Sequence, residues 1–171
     1  ALLPGDGIGP EIMREAVKVL RAVEKRFGLE FKFVEGLVGG ASLDGCDSPL
    51  TDEVLETCKK SDAILFGAVG GPKWDDMPKK KRPEQAILML RKRLGLYANL
   101  RPVVFFDSLI DASPVKRDVL RDCGDIMIVR ELTGGLYFGA RGREELQDTV
   151  RAFDTMEYTE DQIKRVARIA F

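Results

Sequence analysis

Three arginines and a tyrosine carry the most chemistry in this sequence. Arg91 falls in a helix-like stretch behind a long loop, Arg101 follows Tyr97-Ala98-Asn99-Leu100, and Arg130 closes the apolar run Ile126-Met127-Ile128-Val129. An Arg at the C-terminal end of a buried parallel strand faces the crevice where open α/β sheets bind ligands. Guanidinium forks match carboxylates through paired hydrogen bonds, so several converging would suit a substrate with two carboxylates. The plainer alternative is that they are solvated charges, or partners of neighbouring acids such as Glu131. Tyr137 lies close by, in Thr133-Gly134-Gly135-Leu136-Tyr137-Phe138-Gly139. A phenol, with an ordinary pKa of about 10, stays protonated at neutral pH and can give a proton to a carbanion-like centre. Most tyrosines only pack, with the hydroxyl at a surface.

Two glycine-rich segments stand before them. Gly5-Asp6-Gly7-Ile8-Gly9-Pro10-Glu11 invites a dinucleotide fingerprint, but the third fingerprint glycine should fall where Pro10 stands. No Lys-Ser or Lys-Thr pair follows to complete a phosphate-cradling loop. What is left is a tight strand-to-helix turn that could bring backbone N–H groups to a cofactor, or simply a turn that needs glycine. The second segment, Gly67-Ala68-Val69-Gly70-Gly71-Pro72-Lys73-Trp74, opens a loop that runs on to Pro83 and holds the single Trp. Loops of that length are commonly lids or binding loops; the alternative is a surface loop pinned by one aromatic side chain.

The elements that must position these residues alternate between helix and strand, as in an α/β sheet with crossover helices. Ala1–Leu3 is a strand stub. Pro10 suits a first helical turn, and Ile12, Met13, Ala16, Val17, Leu20, Val23 and Phe27 recur at helical spacing until Gly28. Strands are expected at Phe31–Val34, Ala63–Phe66, Ala98–Phe106 and Asp125–Val129. Helices are expected at Pro49–Lys60 with Thr51 as N-cap, at Pro83–Arg93 with Ile87, Leu90 and Leu94 inward, and at Pro114–Arg121. The glycines from Gly134 to Gly142 suit an extended arm. Residues 1–96 are expected to form the first part of a cofactor-binding domain, and residues 97–171 the first part of a second domain for substrate and the dimer arm. The short first strand and the uncapped stripe Ile163, Val166, Ala167, Ala170, Phe171 suggest truncation at both ends.

Composition narrows the partners. The chain has 171 residues, 44% of them hydrophobic, with 27 Lys and Arg against 28 Asp and Glu. That balance gives no electrostatic reason to expect nucleic acid or an anionic membrane. No apolar run reaches the ~20 residues of a spanning helix, and no signal peptide is evident, so a cytoplasmic protein is expected. Cys46, Cys58 and Cys123 are widely spaced and are expected to be reduced thiols. His is absent, which removes imidazole-based triads within these residues.

Taken together, Leu-Pro-Gly-Asp-Gly-Ile-Gly-Pro-Glu from Leu3, Gly-Ala-Val-Gly-Gly-Pro-Lys-Trp from Gly67, Arg-Pro-Glu from Arg82, Leu-Tyr-Ala-Asn-Leu-Arg-Pro from Leu96 and Val-Arg-Glu-Leu-Thr-Gly-Gly-Leu-Tyr-Phe-Gly from Val129 resemble the isocitrate/isopropylmalate (β-decarboxylating) dehydrogenase family. The resemblance runs through almost the whole chain and looks like the N-terminal half of such an enzyme. It implies that family's two-domain α/β fold, truncated and not a true Rossmann fold. It also implies NAD-dependent oxidative decarboxylation of 3-isopropylmalate in leucine biosynthesis by a cytoplasmic homodimer. Related acids (tartrate, malate or homoisocitrate) and a non-catalytic remnant are the alternatives. By resemblance, Arg91, Arg101 and Arg130 bind the malate carboxylates and Tyr137 protonates the enol left by decarboxylation. Glu84, Ile87 and Leu88 match the isopropyl pocket, where isocitrate enzymes carry Ser and Asn. Ile8, Gly71, Pro72, Lys73, Trp74, Asp75 and Glu84 would meet NAD. The metal, Mg or Mn, is expected on Asp residues beyond Phe171, with no ligand in this segment.

Overall fold

A computed structural model describes the backbone of all 171 residues and every side chain except those of Lys80, Arg121, Asp122 and Cys123. The reduced-thiol expectation for Cys123 thus lies outside the described side chains. The contacts divide the chain into two units, Ala1–Leu94 and Gly95–Phe171.

In the first unit β1 (Leu2–Gly5) pairs in parallel with β2 (Leu65–Ala68), Leu3 opposite Phe66. Helix α1 (Gly9–Phe27) covers them, and Gly28 ends it in the left-handed region with its N–H bonded to Glu24 O. Of the expected apolar stripe only Met13 is buried, while Ile12 and Phe27 are exposed. Length accounts for this. Nineteen residues make roughly 28 Å of helix, lying over strands of four residues, about 13 Å each. Helix α2 (Gly40–Cys46) follows, then α3 (Asp52–Lys60), whose N-cap is Thr51 as expected, its hydroxyl accepting from Val54 N. The core gathers Leu3, Val38, Leu50, Leu55, Cys58, Ala86 and Leu90.

Helix α4 (Gln85–Leu94) turns Ala86 and Leu90 into that core, with Met89 and Leu94 packed against it. The expected inner face is corrected on one residue: Ile87 is only half-buried and lies on the flank. The strand expected at Phe31–Val34 is absent. That segment meets β1 only through Leu2 N to Val34 O, Gly36 N to Leu2 O and an isolated bridge at Glu35. Alternating side chains do not make a strand unless the backbone finds a ladder.

In the second unit β3 (Ala98–Val103) and β4 (Ile126–Glu131) are antiparallel, Ala98 opposite Glu131 and Val103 opposite Ile126. Helix α5 (Arg117–Cys123) lies between them in sequence. β5 (Arg141–Glu145) and β6 (Val150–Asp154) form a hairpin where an extended arm is expected. Helix α6 (Glu160–Ala170) packs on β4 and starts with a capping box, Thr159 and Gln162 each bonding the other's backbone N–H. No described helix is long and apolar enough to cross a membrane.

Candidate functional site

In the first unit the candidate residues collect at the C-terminal ends of β1 and β2, the edge where open α/β sheets place ligands. The glycine turn there is a backbone crossing. A side chain on Gly9 would strike Pro4 O and Ala68 O, and one on Gly67 would strike Pro4 O from the other side. Most of its amides are satisfied internally: Asp6 N bonds Ala68 O at 2.7 Å, Gly9 N bonds Asp6 O at 2.8 Å, and Glu11 N and Ile12 N both bond Ile8 O. What the turn presents outward is the side chain of Ile8, 54% exposed.

Asp6, which sequence reading passed over, organises this edge. Only 5% exposed, it accepts Gly40 N at 2.6 Å and Gly70 N at 3.2 Å on Oδ2, and Ala41 N at 2.6 Å on Oδ1. One carboxylate thereby caps α2 and ties it to the loop after β2. That loop lies down on α2: the Trp74 ring rests on Gly40, leaving no room there for a Cβ. Trp74 Nε1 donates to Asp44 Oδ1 at 3.4 Å, and Lys73 Nζ donates to Asp44 Oδ2 at 2.5 Å. The Lys73 hydrogen bond holds the Asp44 carboxyl below its ordinary value of 3.8. Gly71, Pro72, Lys73, Trp74 and Asp75 are therefore an ordered turn resting on α2, and Glu84 comes next to Gly70.

Glu84, Ile87, Leu88 and Arg91 fall at helical positions i, i+3, i+4 and i+7, one stripe along the start of α4. Ala86 and Leu90 face the core from another side of the helix, which leaves Ile87, Leu88 and Arg91 half-buried rather than packed inside. A cavity of about 720 Å³ lies elsewhere in this unit, lined by Leu2, Met13, Val17, Leu37 and Val38 among others, and no candidate residue lines it.

In the second unit the expectation that Arg101 and Arg130 end buried parallel strands is corrected. Their strands are antiparallel, and Ile126, Met127 and Ile128 are exposed. The register still brings the two together. Asn99 stands opposite Arg130 and Arg101 opposite Ile128, so Asn99, Arg101 and Arg130 share one face. Arg101 Nε donates to Asn99 Oδ1 at 2.5 Å. Among the described residues neither Arg101 nor Arg130 forms an ion pair, so both guanidiniums keep donors for an anion. Tyr137, in a 3-10 turn at Gly135–Tyr137, comes back onto this face; Arg130 donates to its hydroxyl and lies 5.3 Å from its ring.

Glu131, adjacent in sequence, is committed on the other side of β4, its side chain only 8% exposed. It accepts Thr133 N and Gly134 N, each at 2.8 Å, and the Thr133 hydroxyl. Arg165 of α6 donates to that hydroxyl, lies 3.5 Å from Glu131 and sits 4.7 Å from the Tyr97 ring. The alternative of Glu131 as partner to Arg130 is not what the fold adopts. Among the described residues no group of three or more His, Cys, Asp or Glu could hold a metal ion.

The fold is α/β, in two units. The family model described as isocitrate/isopropylmalate dehydrogenase matches residues 1–171, and the chain belongs to that family. The 3-isopropylmalate dehydrogenase of Moorella thermoacetica is 59% identical over 172 residues, covering 100% of this chain and 48% of that protein. Its namesake in Geobacillus kaustophilus is 55% identical, covering 100% and 46%. Among solved structures, the apo β-decarboxylating dehydrogenase of Thermococcus kodakarensis superposes with a TM-score of 0.68 at 39% identity over 99% of this chain and 43% of its own. The isocitrate dehydrogenase of Methylococcus capsulatus gives 0.75 at 27% identity, over 99% and 45%. The chain spans about half the length of the curated relatives it matches.

Proposed function

We propose that the protein containing this chain carries out the NAD-dependent oxidative decarboxylation of 3-isopropylmalate, a step of leucine biosynthesis, as a cytoplasmic homodimer. The observation that supports the reading is the β3–β4 face, which Arg101 and Arg130 share, neither in an ion pair among the described residues, and where Arg130 donates to the Tyr137 hydroxyl. Arg101 and Arg130 would bind the malate carboxylates, a role that the resemblance also gives to Arg91. Tyr137 would deliver its proton to the enol carbon after carbon dioxide leaves, a transfer of the kind worth roughly 10²–10⁴-fold in rate. The half-buried Ile87 and Leu88 suit an isopropyl group and offer nothing to a further carboxylate. NAD supplies the hydride acceptor. Ile8 and the ordered turn at Gly71–Asp75 would meet it, together with Glu84, because the Asp6 and Asp44 contacts hold these groups on one edge.

The test is kinetic, on the full-length protein supplied with NAD and Mg or Mn. NADH formation from isopropylmalate should exceed that from tartrate, malate and homoisocitrate by at least tenfold, the worth of a filled apolar pocket. Preference for any of those three acids would overturn the substrate assignment. Tyr137→Phe should leave the first hydride transfer nearly intact in a single turnover while slowing release of the product keto acid. Equal loss of both would remove Tyr137 from the proton-donor role.

A further inference from the structure

Along β4 successive side chains alternate, so Glu131 leaves the strand on the face opposite Arg130. Its buried carboxylate collects donors from three places: the amides of Thr133 and Gly134, the Thr133 hydroxyl, and the nearby guanidinium of Arg165 on α6. Arg165 also donates to the Thr133 hydroxyl, so that α6, the turn and the strand end meet in one polar knot. The turn cannot swing outward without stranding a buried charge. Beyond it Gly135 N bonds Glu157 O at 2.8 Å and Gly139 N returns to Gly135 O at 3.0 Å, which closes the short turn carrying Tyr137. The same few residues are thus gripped twice, by Glu131 through the backbone and by Arg130 through the phenol.

We infer that Glu131, held by Thr133 and Arg165, is a positioning residue that sets the Tyr137 hydroxyl beside the Arg130 guanidinium. The inference rests on the proposed role of Tyr137 as proton donor. A residue that served stability alone would lower the melting temperature and leave the turnover of folded molecules unchanged. A positioning residue acts through Tyr137, and displacing a reacting group by about 1 Å costs on the order of 10²-fold.

The experiment is a double-mutant cycle in the full-length protein, reading kcat and KM for isopropylmalate with NAD and Mg. Glu131→Gln keeps the shape and removes the charge. It should lower kcat about tenfold or more while KM moves less than about threefold, because Arg101 and Arg130 lie on the other face. In the Tyr137→Phe background the same substitution should change kcat less than about twofold, since the group it positions is gone. An equal factor in both backgrounds overturns the inference and leaves the reading of Tyr137 standing. Full activity of Tyr137→Phe alone overturns that reading and the inference with it. Should Glu131→Gln fail to fold, Thr133→Val takes its place. It removes one donor from the carboxylate and one acceptor from Arg165, and the same pattern is expected in the two backgrounds.

Discussion

Replacing Asp6 by Asn should destabilise the first unit far more than its small change in shape suggests. The two carboxylate oxygens accept three backbone amides, Gly40 and Gly70 on Oδ2 and Ala41 on Oδ1. An Asn side chain has one acceptor oxygen. Placed toward Gly40 and Gly70, it leaves its NH2 facing the Ala41 amide, donor against donor. The loss is then one buried unsatisfied amide, about 1–3 kcal/mol, plus the charge assistance of the remaining two bonds, roughly 0.5 kcal/mol each. A total of about 2–4 kcal/mol is expected. Trp74, the only Trp, rests on the helix that Asp6 caps, so its fluorescence during urea unfolding reads this unit directly. Asp62→Asn, at an exposed position, is the control. A midpoint for Asp6→Asn within experimental error of that control would refute the capping argument.

Three further outcomes are expected. Gly40→Ala puts a methyl where the Trp74 ring lies, so Trp74 should be displaced into water, seen as a red-shifted emission, with a stability loss of about 1–3 kcal/mol. For Glu131, burial pushes the carboxyl up, but the Thr133 hydroxyl, the amides of Gly134 and Thr133 and the charge of Arg165 more than offset it and hold it below the ordinary 4.5. The stability that this contributes is complete above pH 4.5 and lost as pH falls through the depressed value, and near-UV dichroism of the second unit should show Glu131→Gln flattening that acid limb. Burial pushes the Cys58 thiol up from 9.0, so a thiol-specific disulfide reagent at neutral pH should label exposed Cys46 well before Cys58; equal rates would contradict the packing of α3.

Local signals were legible where local physics decides. The stripe before Gly28 marks α1, and Thr51 marks the start of α3, because helix periodicity and capping act within a few residues. Helix α2 left no such trace. It is short, carries two glycines, and is capped by Asp6 from 34 residues away in sequence. The pairing of β3 with β4 was equally silent, since nothing within Ala98–Val103 states the direction of its neighbour. The arginines were found by residue type, and the argument about strand ends that singled them out was not the one the fold uses. Asn99 and Arg165 went unmarked in the sequence, and Glu131 stood there only as an acid beside Arg130, because their contacts depend on register and on a helix beginning some thirty residues after the strand. The spacing of Glu84, Ile87, Leu88 and Arg91 was available as a helical stripe and could have marked a second face on α4.

The crossing at Pro4, Gly9 and Gly67 bears on how the opening motif would respond to random mutation. Its glycines look like a ligand-binding signature, yet Gly9 and Gly67 are required by the passage of one backbone segment across another. In a saturation library sorted only for intracellular abundance, with no selection for turnover, these two codons would already be depleted. Ile8, which lies between such glycines and points outward, would tolerate exchange in that sort and be filtered only when growth depends on the reaction. Comparing the two sorts would separate, residue by residue, what the motif owes to architecture from what it owes to chemistry.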